Sequence, residues 1–517
     1  MKDKKLSIDK HDFTWEYIQT FLNRKCAVEL HADSIKRIEA SRAVIKKIID
    51  SGKAVYGVNT GFGKFADVRI RKEETEELQR RLTLSHAAGV GAPTPVEIVR
   101  LMMLLKIKNL SLGHSGVRLE TVQLLAEMLN HQITPVVPEK GSVGASGDLA
   151  PLAHIALVMI GEGEAFVTEK DGNLARVAGA EALQRAGLKP VVLAAKEGLA
   201  ILNGTQAMQA YGIMALHRSM NLLKTADIIG AMSLEALLGT LTAFDPRIQQ
   251  VRRQPGQMLV AENIRKILQE SAIVESHRFS EHKVQDAYCL RCIPQVHGAV
   301  RDAVSHITQV FAREMNGVSD NPLVFPETGE VLSGGNFHGE PLAMAADYLA
   351  IAMAELASIA ERRIEHLLDP AVSEMAGFLT EEGGLNSGFM IAHVTAAALV
   401  SENKTLAHPA SVDSIPTSAN KEDHVSMGLF AGRKALEIIQ NAETVLAIEL
   451  LCACQALDLR APVMPSPVTE RVLDTVREQV AHWKEDRYMH PEIVKAQNMI
   501  HDGVIVRAAE AVAGKLV

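Results

Sequence analysis

The sequence predicts a mainly α protein, with a loop-rich N-terminal part and a bundle of long helices toward the C-terminus. Three observations carry that expectation. Between Pro341 and Pro370 there is no breaker, and Leu342, Ala346, Leu349, Met353, Leu356 and Ala360 recur at a period near 3.5. A helix of about 28 residues there would be about 40 Å long, and its Ala, Leu and Met suit close packing in a bundle. Helix start signals recur along the chain, whereas β-rich stretches are few and short.

In chain order, Asp33 or Ser34 is placed to cap a helix with Ile35, Ile38, Ile45 and Ile48 on one face, stopped near Gly52. Ala54–Val58 reads as a short strand. Thr94-Pro95-Val96-Glu97 has the form of a capping box, followed by the apolar run Ile98 to Ile107. Gln132–Val137 and Glu164–Thr168 are further strand candidates. Two stretches, Gly198–His217 and Gly383–Ser401, contain no Asp, Glu, Lys or Arg yet carry Asn, Gln, Ser and His. Such stretches suggest buried helices that carry a site. Ser466-Pro467 opens a last helix with Val468, Val472, Val476 and Val480 at helical spacing. The expected domains are 1–205 and 206–517.

Composition narrows the function classes. The chain has 517 residues, 47% hydrophobic and 22% charged, with net charge −8. This is ordinary globular composition. A mildly acidic chain with 4% aromatic residues predicts no nucleic-acid partner, because it offers neither excess cations nor stacking platforms. Five cysteines without a regular framework, and no apolar leader after Met1-Lys2-Asp3-Lys4-Lys5, predict a cytoplasmic protein. No membrane partner is expected. Cys289 and Cys292 form C-x-x-C, but no second pair stands at ligand spacing, so they are read as core thiols and no metal is expected.

The least ordinary segment is Gly141-Ser142-Val143-Gly144-Ala145-Ser146-Gly147-Asp148, which runs into an apolar helix. One reading is a tight turn with Asp148 as helix cap. A phosphate cradle is a second, although the Lys-Ser/Thr of a P-loop is missing. A third is covalent. The Gly147 amide nitrogen attacks the Ala145 carbonyl, and loss of water from the ring and from the Ser146 side chain leaves an imidazolone with an exocyclic methylene. Gly suits the attacking position because it tolerates strained dihedrals. Such a group is an electrophile, which ordinary side chains do not supply.

The segment resembles the prosthetic-group loop of the aromatic amino acid ammonia-lyases, which build methylidene-imidazolone (MIO) from Ala-Ser-Gly. Further matches follow in family order: Tyr56-Gly57-Val58-Asn59-Thr60-Gly61-Phe62-Gly63, Asn203-Gly204-Thr205-Gln206, Tyr288-Cys289-Leu290-Arg291, Ser319-Asp320-Asn321-Pro322, Gly335-Asn336-Phe337-His338 and Glu422-Asp423-His424-Val425-Ser426. The resemblance implies an ammonia-lyase-like (fumarase/aspartase-like) architecture, a self-formed MIO at Ala145-Ser146-Gly147 and no external cofactor. It implies Tyr56 as the base that takes a β-proton, and Arg291 as the fork that holds the substrate carboxylate. Asn203, Tyr288 and Gln285 hydrogen-bond the group or the substrate on it, and Phe337 lies against it. His86, within Ser85-His86-Ala87-Ala88-Gly89, and Glu422 point to the histidine-type branch, with L-histidine as substrate and urocanate as product. A homotetramer with sites shared between subunits is implied as well. Beside this stand a lyase or aminomutase for another aromatic amino acid, and a noncatalytic homologue that binds a small ligand. Without the resemblance, Tyr56 reads as a core tyrosine and Arg291 as one half of a buried ion pair.

Overall fold

The computed structural model describes residues 5–23, 26–52, 55–58, 60–61, 70–169, 171–279 and 283–517. Met1 to Lys4, Ala54, Asn59, Phe62 and Gly63, all named above, lie outside the described residues. Among the described residues there are 21 α-helices and four small sheets. The chain divides into two compact units. The first comprises 1–214, 308–347 and 409–433, and the second 215–307, 348–408 and 434–517. Four of the five boundaries of this division fall within the helices Gln206–Ala236, Ile293–Glu314, Glu340–Leu368 and Gly428–Leu459, and the fifth, at 408/409, follows the Met390–Leu406 helix.

The first unit holds all the described sheets. The largest orders Thr134–Pro135, Glu164–Thr168 and Leu174–Ala178 antiparallel, with Thr134 opposite Phe166 and Ala165 opposite Val177. The strand expected over Gln132–Val137 shrinks to its two central residues. Of the strand expected at Ala54–Val58, the described part, Val55–Val58, forms a turn instead: Gly57 has φ +73°, and Val58 N–H bonds back to the Val55 carbonyl at 3.1 Å. The Ala32–Ser51 helix stops at Gly52 as expected, with φ +68°. Its cap is His31, whose Nδ1 accepts from the Asp33 N–H at 3.2 Å. Asp33 and Ser34 lie inside the first turn of this helix, one and two residues past its first position, and so do not cap it. Ile38 and Ile45 are fully buried. The Val96–Ser111 helix is buried almost throughout. Thr94 does not cap it; its hydroxyl accepts from Tyr211 Oη at 3.3 Å.

The second unit is helical. In the Glu340–Leu368 helix all six expected positions, from Leu342 to Ala360, are buried, and its second-unit part packs on an unusually polar centre. Arg363, fully buried, donates from Nε to Glu449 Oε1 at 2.5 Å and from Nη2 to Oε2 at 2.9 Å. Ser233 donates to the same carboxylate at 2.7 Å. Beside it, Asp227 accepts from Arg301 at 2.6 Å and from Asn263 at 2.9 Å, with His297 Nδ1 at 2.9 Å. Buried charges persist only when paired and hydrogen-bonded in this way. Ser466 caps the Pro467–Arg477 helix as expected, its hydroxyl accepting the Thr469 N–H at 3.1 Å, and the four valines are buried. Gly383–Ser401 departs from expectation. It feeds the Met390–Leu406 helix, whose Ile391 is 60% exposed, with Val394 exposed on the same side.

Candidate active site

The site is built in the first unit around the Gly141–Asp148 loop. Two backbone contacts compress that loop. On one side Gly147, at φ +70°, runs beside Gly204, and the Asp148 N–H donates to the Gly204 carbonyl at 2.7 Å. A Cβ on Gly147 would stand 2.1 Å from that carbonyl oxygen. On the other side Met427 N–H donates to the Val143 carbonyl at 2.8 Å, and a Cβ on Gly144 would meet Ser426 Oγ at 2.2 Å. Glycine is therefore demanded twice by close approach, and each time at positive φ.

Asp148 heads the Leu149–Met159 helix but does not cap it. Its Oδ2 accepts the Met208 N–H at 2.8 Å, in the first turn of the Gln206–Ala236 helix, and Oδ1 accepts from Ser142 at 3.0 Å. The expected cap is thus a clasp between two helix starts. Burial pushes the Asp148 carboxyl up to about 6, against the pull of these hydrogen bonds and of Lys106.

Ser146 sits at the crest. Its hydroxyl donates to Glu422 Oε1 at 2.8 Å, and its carbonyl accepts from Asn203 Nδ2 at 3.3 Å. Glu422 Oε2 accepts from Thr417 and Ser418, each at 2.8 Å. Around Ser146 opens a cavity of about 1040 Å³, lined among others by Tyr56, Ser85, His86, Ala145, Asn203, Asn321, Phe337, His338, Lys421, Glu422 and His424. A smaller recess of about 260 Å³ shares Ser85, His86, Ser146 and Glu422 and reaches the Gly141–Gly147 backbone. His86 ends the Thr75–His86 helix, with Nδ1 3.1 Å from Ser85 Oγ. Burial lowers its pKa and so favours the neutral imidazole, which holds one donor and one acceptor. The Asn203 Oδ1 is buried, with no hydrogen-bond partner among the described residues.

The aromatic amino acid lyase profile matches residues 13–478 of this chain. The chain belongs to the aromatic amino acid lyase family. It is 52% identical over 502 residues to the histidine ammonia-lyase of Caldanaerobacter subterraneus subsp. tengcongensis, covering 97% of each chain. Among solved structures it is similar to histidine ammonia-lyase from Trypanosoma cruzi, with TM-score 0.91, 43% identity and coverage of 98% and 95%. It is also similar to tyrosine aminomutase from Streptomyces globisporus, with TM-score 0.92, 34% identity and coverage of 99% and 100%.

For a lyase of this family the structure tests the fit of a ring made from Ala145, Ser146 and Gly147. The φ of Gly147 and the cradle that a Cβ would fill fit a glycine pressed toward its own loop, and small Ala145 leaves the neighbouring carbonyl open. The Asn203 amide nitrogen donates to the Ser146 carbonyl of this loop, and the oxygen of the same amide is buried without a hydrogen-bond partner among the described residues. The residues fit.

Eight expected residues, Tyr56, His86, Ala145, Ser146, Asn203, Phe337, Glu422 and the backbone of Gly147, are thus gathered in the first unit. Gln285, Tyr288 and Arg291 are not among the residues that line this cavity; they belong to the second unit. There Tyr288 is 71% exposed, with the Arg291 guanidinium carbon 4.4 Å above its ring centre, and Gln285 is exposed. Arg291 Nε has no hydrogen-bond partner among the described residues. Burial pushes the neighbouring Cys289 thiol up to about 11, which fits a core thiol and not a reactive one. Sequence reasoning missed Thr417 and Ser418, whose only signal is a pair of hydroxyls just before Glu422. It also missed Lys106, which interrupts a run read as apolar.

Proposed function

We propose that the chain eliminates ammonia from L-histidine to give trans-urocanate, the opening step of histidine breakdown, with an MIO formed from its own Ala145-Ser146-Gly147. The observation that carries this reading is Ser146 beneath Glu422 in a cavity that His86 also lines. An anionic acceptor and an imidazole suit the N–H and the N of a substrate imidazole, whereas a phenyl ring offers neither a donor to Glu422 nor a hydrogen-bonding atom to His86. The high identity to relatives named histidine ammonia-lyase supports the same substrate.

When formed, the MIO supplies an electrophilic methylene. The chain's own residues do the rest. Tyr56 takes the β-proton at its phenol oxygen. His86 and Glu422 hold the imidazole, so that the side chain cannot rotate away from Tyr56. Asn203 fixes the carbonyl of Ser146, and Phe337 walls the cavity against water. Arg291 meets the substrate carboxylate through its planar fork, with Tyr288 and Gln285 beside it.

We propose a homotetramer with shared sites, in which Gln285, Tyr288 and Arg291 reach a given cavity from another copy. The exposure of Tyr288, the 98% exposure of Val284, and the uncovered Ile391 and Val394 support surfaces that a second copy covers. A cytoplasmic location is supported by five free cysteines.

Two measurements test the reading. Intact mass of the purified chain should fall short by two waters, and Ser146→Ala should fold, keep the full mass and lose nearly all activity. A wild-type chain at full unmodified mass would overturn the MIO. Co-expressed Tyr56→Phe and Arg291→Ala chains, each inactive alone, should regain histidine turnover in mixed tetramers. Active monomers on sizing at assay concentration would overturn the shared site.

A further inference from the structure

A lysine sits between Leu105 and Ile107 in the buried part of the Val96–Ser111 helix. Lys106 is fully buried, and its Nζ donates to the Asn203 carbonyl at 2.7 Å and the Ala200 carbonyl at 3.2 Å. Those carbonyls close the C-terminal end of the short Glu197–Leu202 helix, where a cation is favoured. Immediately beyond is Gly204: a Cβ there would stand 3.1 Å from Nζ, so the ammonium packs against the Gly204 backbone. Gly204 in turn holds the Asp148 N–H and crowds Gly147. Asp148, Asp320 and Lys196 are the charged groups that face Lys106, and Lys196 is paired with Asp320 at 2.8 Å.

We propose that Lys106 is a positioning residue for ring closure: its ammonium braces the Asn203–Gly204 turn, which presses the Gly147 nitrogen toward the Ala145 carbonyl. The inference rests on the reading that this loop cyclises. In that closure the bond from Gly147 N to Ala145 C forms. The Ala145 oxygen leaves as water with the amide hydrogens of Ser146 and Gly147, and the Ser146 hydroxyl leaves as a second water with the Ser146 α-hydrogen. Lys106 exchanges no atoms. It resists the recoil of the turn when Gly147 is driven against it.

Burial without full compensation supports a group kept for a task. Desolvation pulls Lys106 down to about 7 from its ordinary 10.5, with Asp320 and Asp148 opposing and Lys196 assisting. A methionine would fill the same space with no such penalty.

The test follows intact mass through a chase after a short expression pulse of the full chain. Wild type, Lys106→Met and Lys106→Gln are compared, the last keeping an N–H donor. Lys106→Met should fold, with unchanged far-ultraviolet circular dichroism, and lose its two waters at least roughly tenfold more slowly, as expected when the charged hydrogen bonds to the Asn203 and Ala200 carbonyls are removed. Lys106→Gln should be slowed less. Hydrogen exchange at the Asp148 amide should rise in Lys106→Met. Ring closure at the wild-type rate in Lys106→Met, while the wild type itself loses two waters, overturns the inference and leaves the MIO reading standing. A wild type that never loses them overturns both. Failure of both variants to fold assigns Lys106 to the core at large and also overturns the local role.

Discussion

Replacing Gly147 by Ala probes the compressed loop directly. The added Cβ would lie 2.1 Å from the Gly204 oxygen and 2.4 Å from its carbonyl carbon. Both are backbone atoms, so no flexible side chain can yield. Relief to ordinary contact requires the Gly204 turn to retreat by about an ångström. That retreat breaks the 2.7 Å bond from the Asp148 N–H to the Gly204 carbonyl and leaves a buried donor without a partner, which costs about 1–3 kcal/mol. Holding alanine at φ +70° adds about 1–2 kcal/mol. The expected loss is therefore about 2–5 kcal/mol, a large part of a typical stability of about 5–15 kcal/mol. Two assays read it: chemical denaturation for stability, and intact mass for ring closure. The variant should be destabilised by that amount and should keep its two waters. A Gly147→Ala chain with wild-type stability and complete water loss would show that the clasp with Gly204 is not what the geometry says it is.

Three other expectations follow from the same structure. Glu422→Gln removes the anion that accepts from Ser146, Thr417 and Ser418; histidine turnover should drop by a large factor with little gain on phenylalanine, and unchanged kinetics would reduce Glu422 to a loop anchor. Asp148 holds its proton to about pH 6 when folded, against an ordinary 3.8. Its contribution to stability is therefore lost as pH rises from about 4 to about 6, by about 3 kcal/mol. Asp148→Asn should flatten that part of the stability profile, and parallel urea-melt profiles for variant and wild type would refute the assignment. Arg363→Met strands the buried Glu449 carboxylate with Ser233 and should cost about 3–5 kcal/mol in denaturant titrations, whereas a change under about 1 kcal/mol would mean the pair is dispensable.

Much of the site was legible because its chemistry is written in contiguous motifs. Ala145-Ser146-Gly147, Asn203-Gly204 and Glu422 each carry their own local demand, for small size, positive φ or charge, and the fold brings these segments together. What was not legible depends on who faces whom. Asp148 looked like a helix cap because caps are local, yet its partner is the Met208 amide, 60 residues away. Lys106 vanished into an apolar run because hydrophobic periodicity averages over a single buried charge. Arg363 is equally silent: nothing at its position announces that Glu449 lies opposite. The exposure of Ile391 within a charge-free stretch has the same cause, since composition marks a surface for covering without saying by what.

The bond between Ser146 and Glu422 also sets an order of events. In the chain as synthesised, both carboxylate oxygens of Glu422 are already engaged, Oε2 by Thr417 and Ser418 and Oε1 by Ser146. On the proposed chemistry, the hydroxyl that departs from Ser146 is the one that occupies Oε1. The newborn protein therefore presents a stoppered receptor, and its own dehydration pulls the stopper. Recognition and reactivity come into being in a single irreversible act, so substrate has no claim on Glu422 until there is something for the enzyme to do with it.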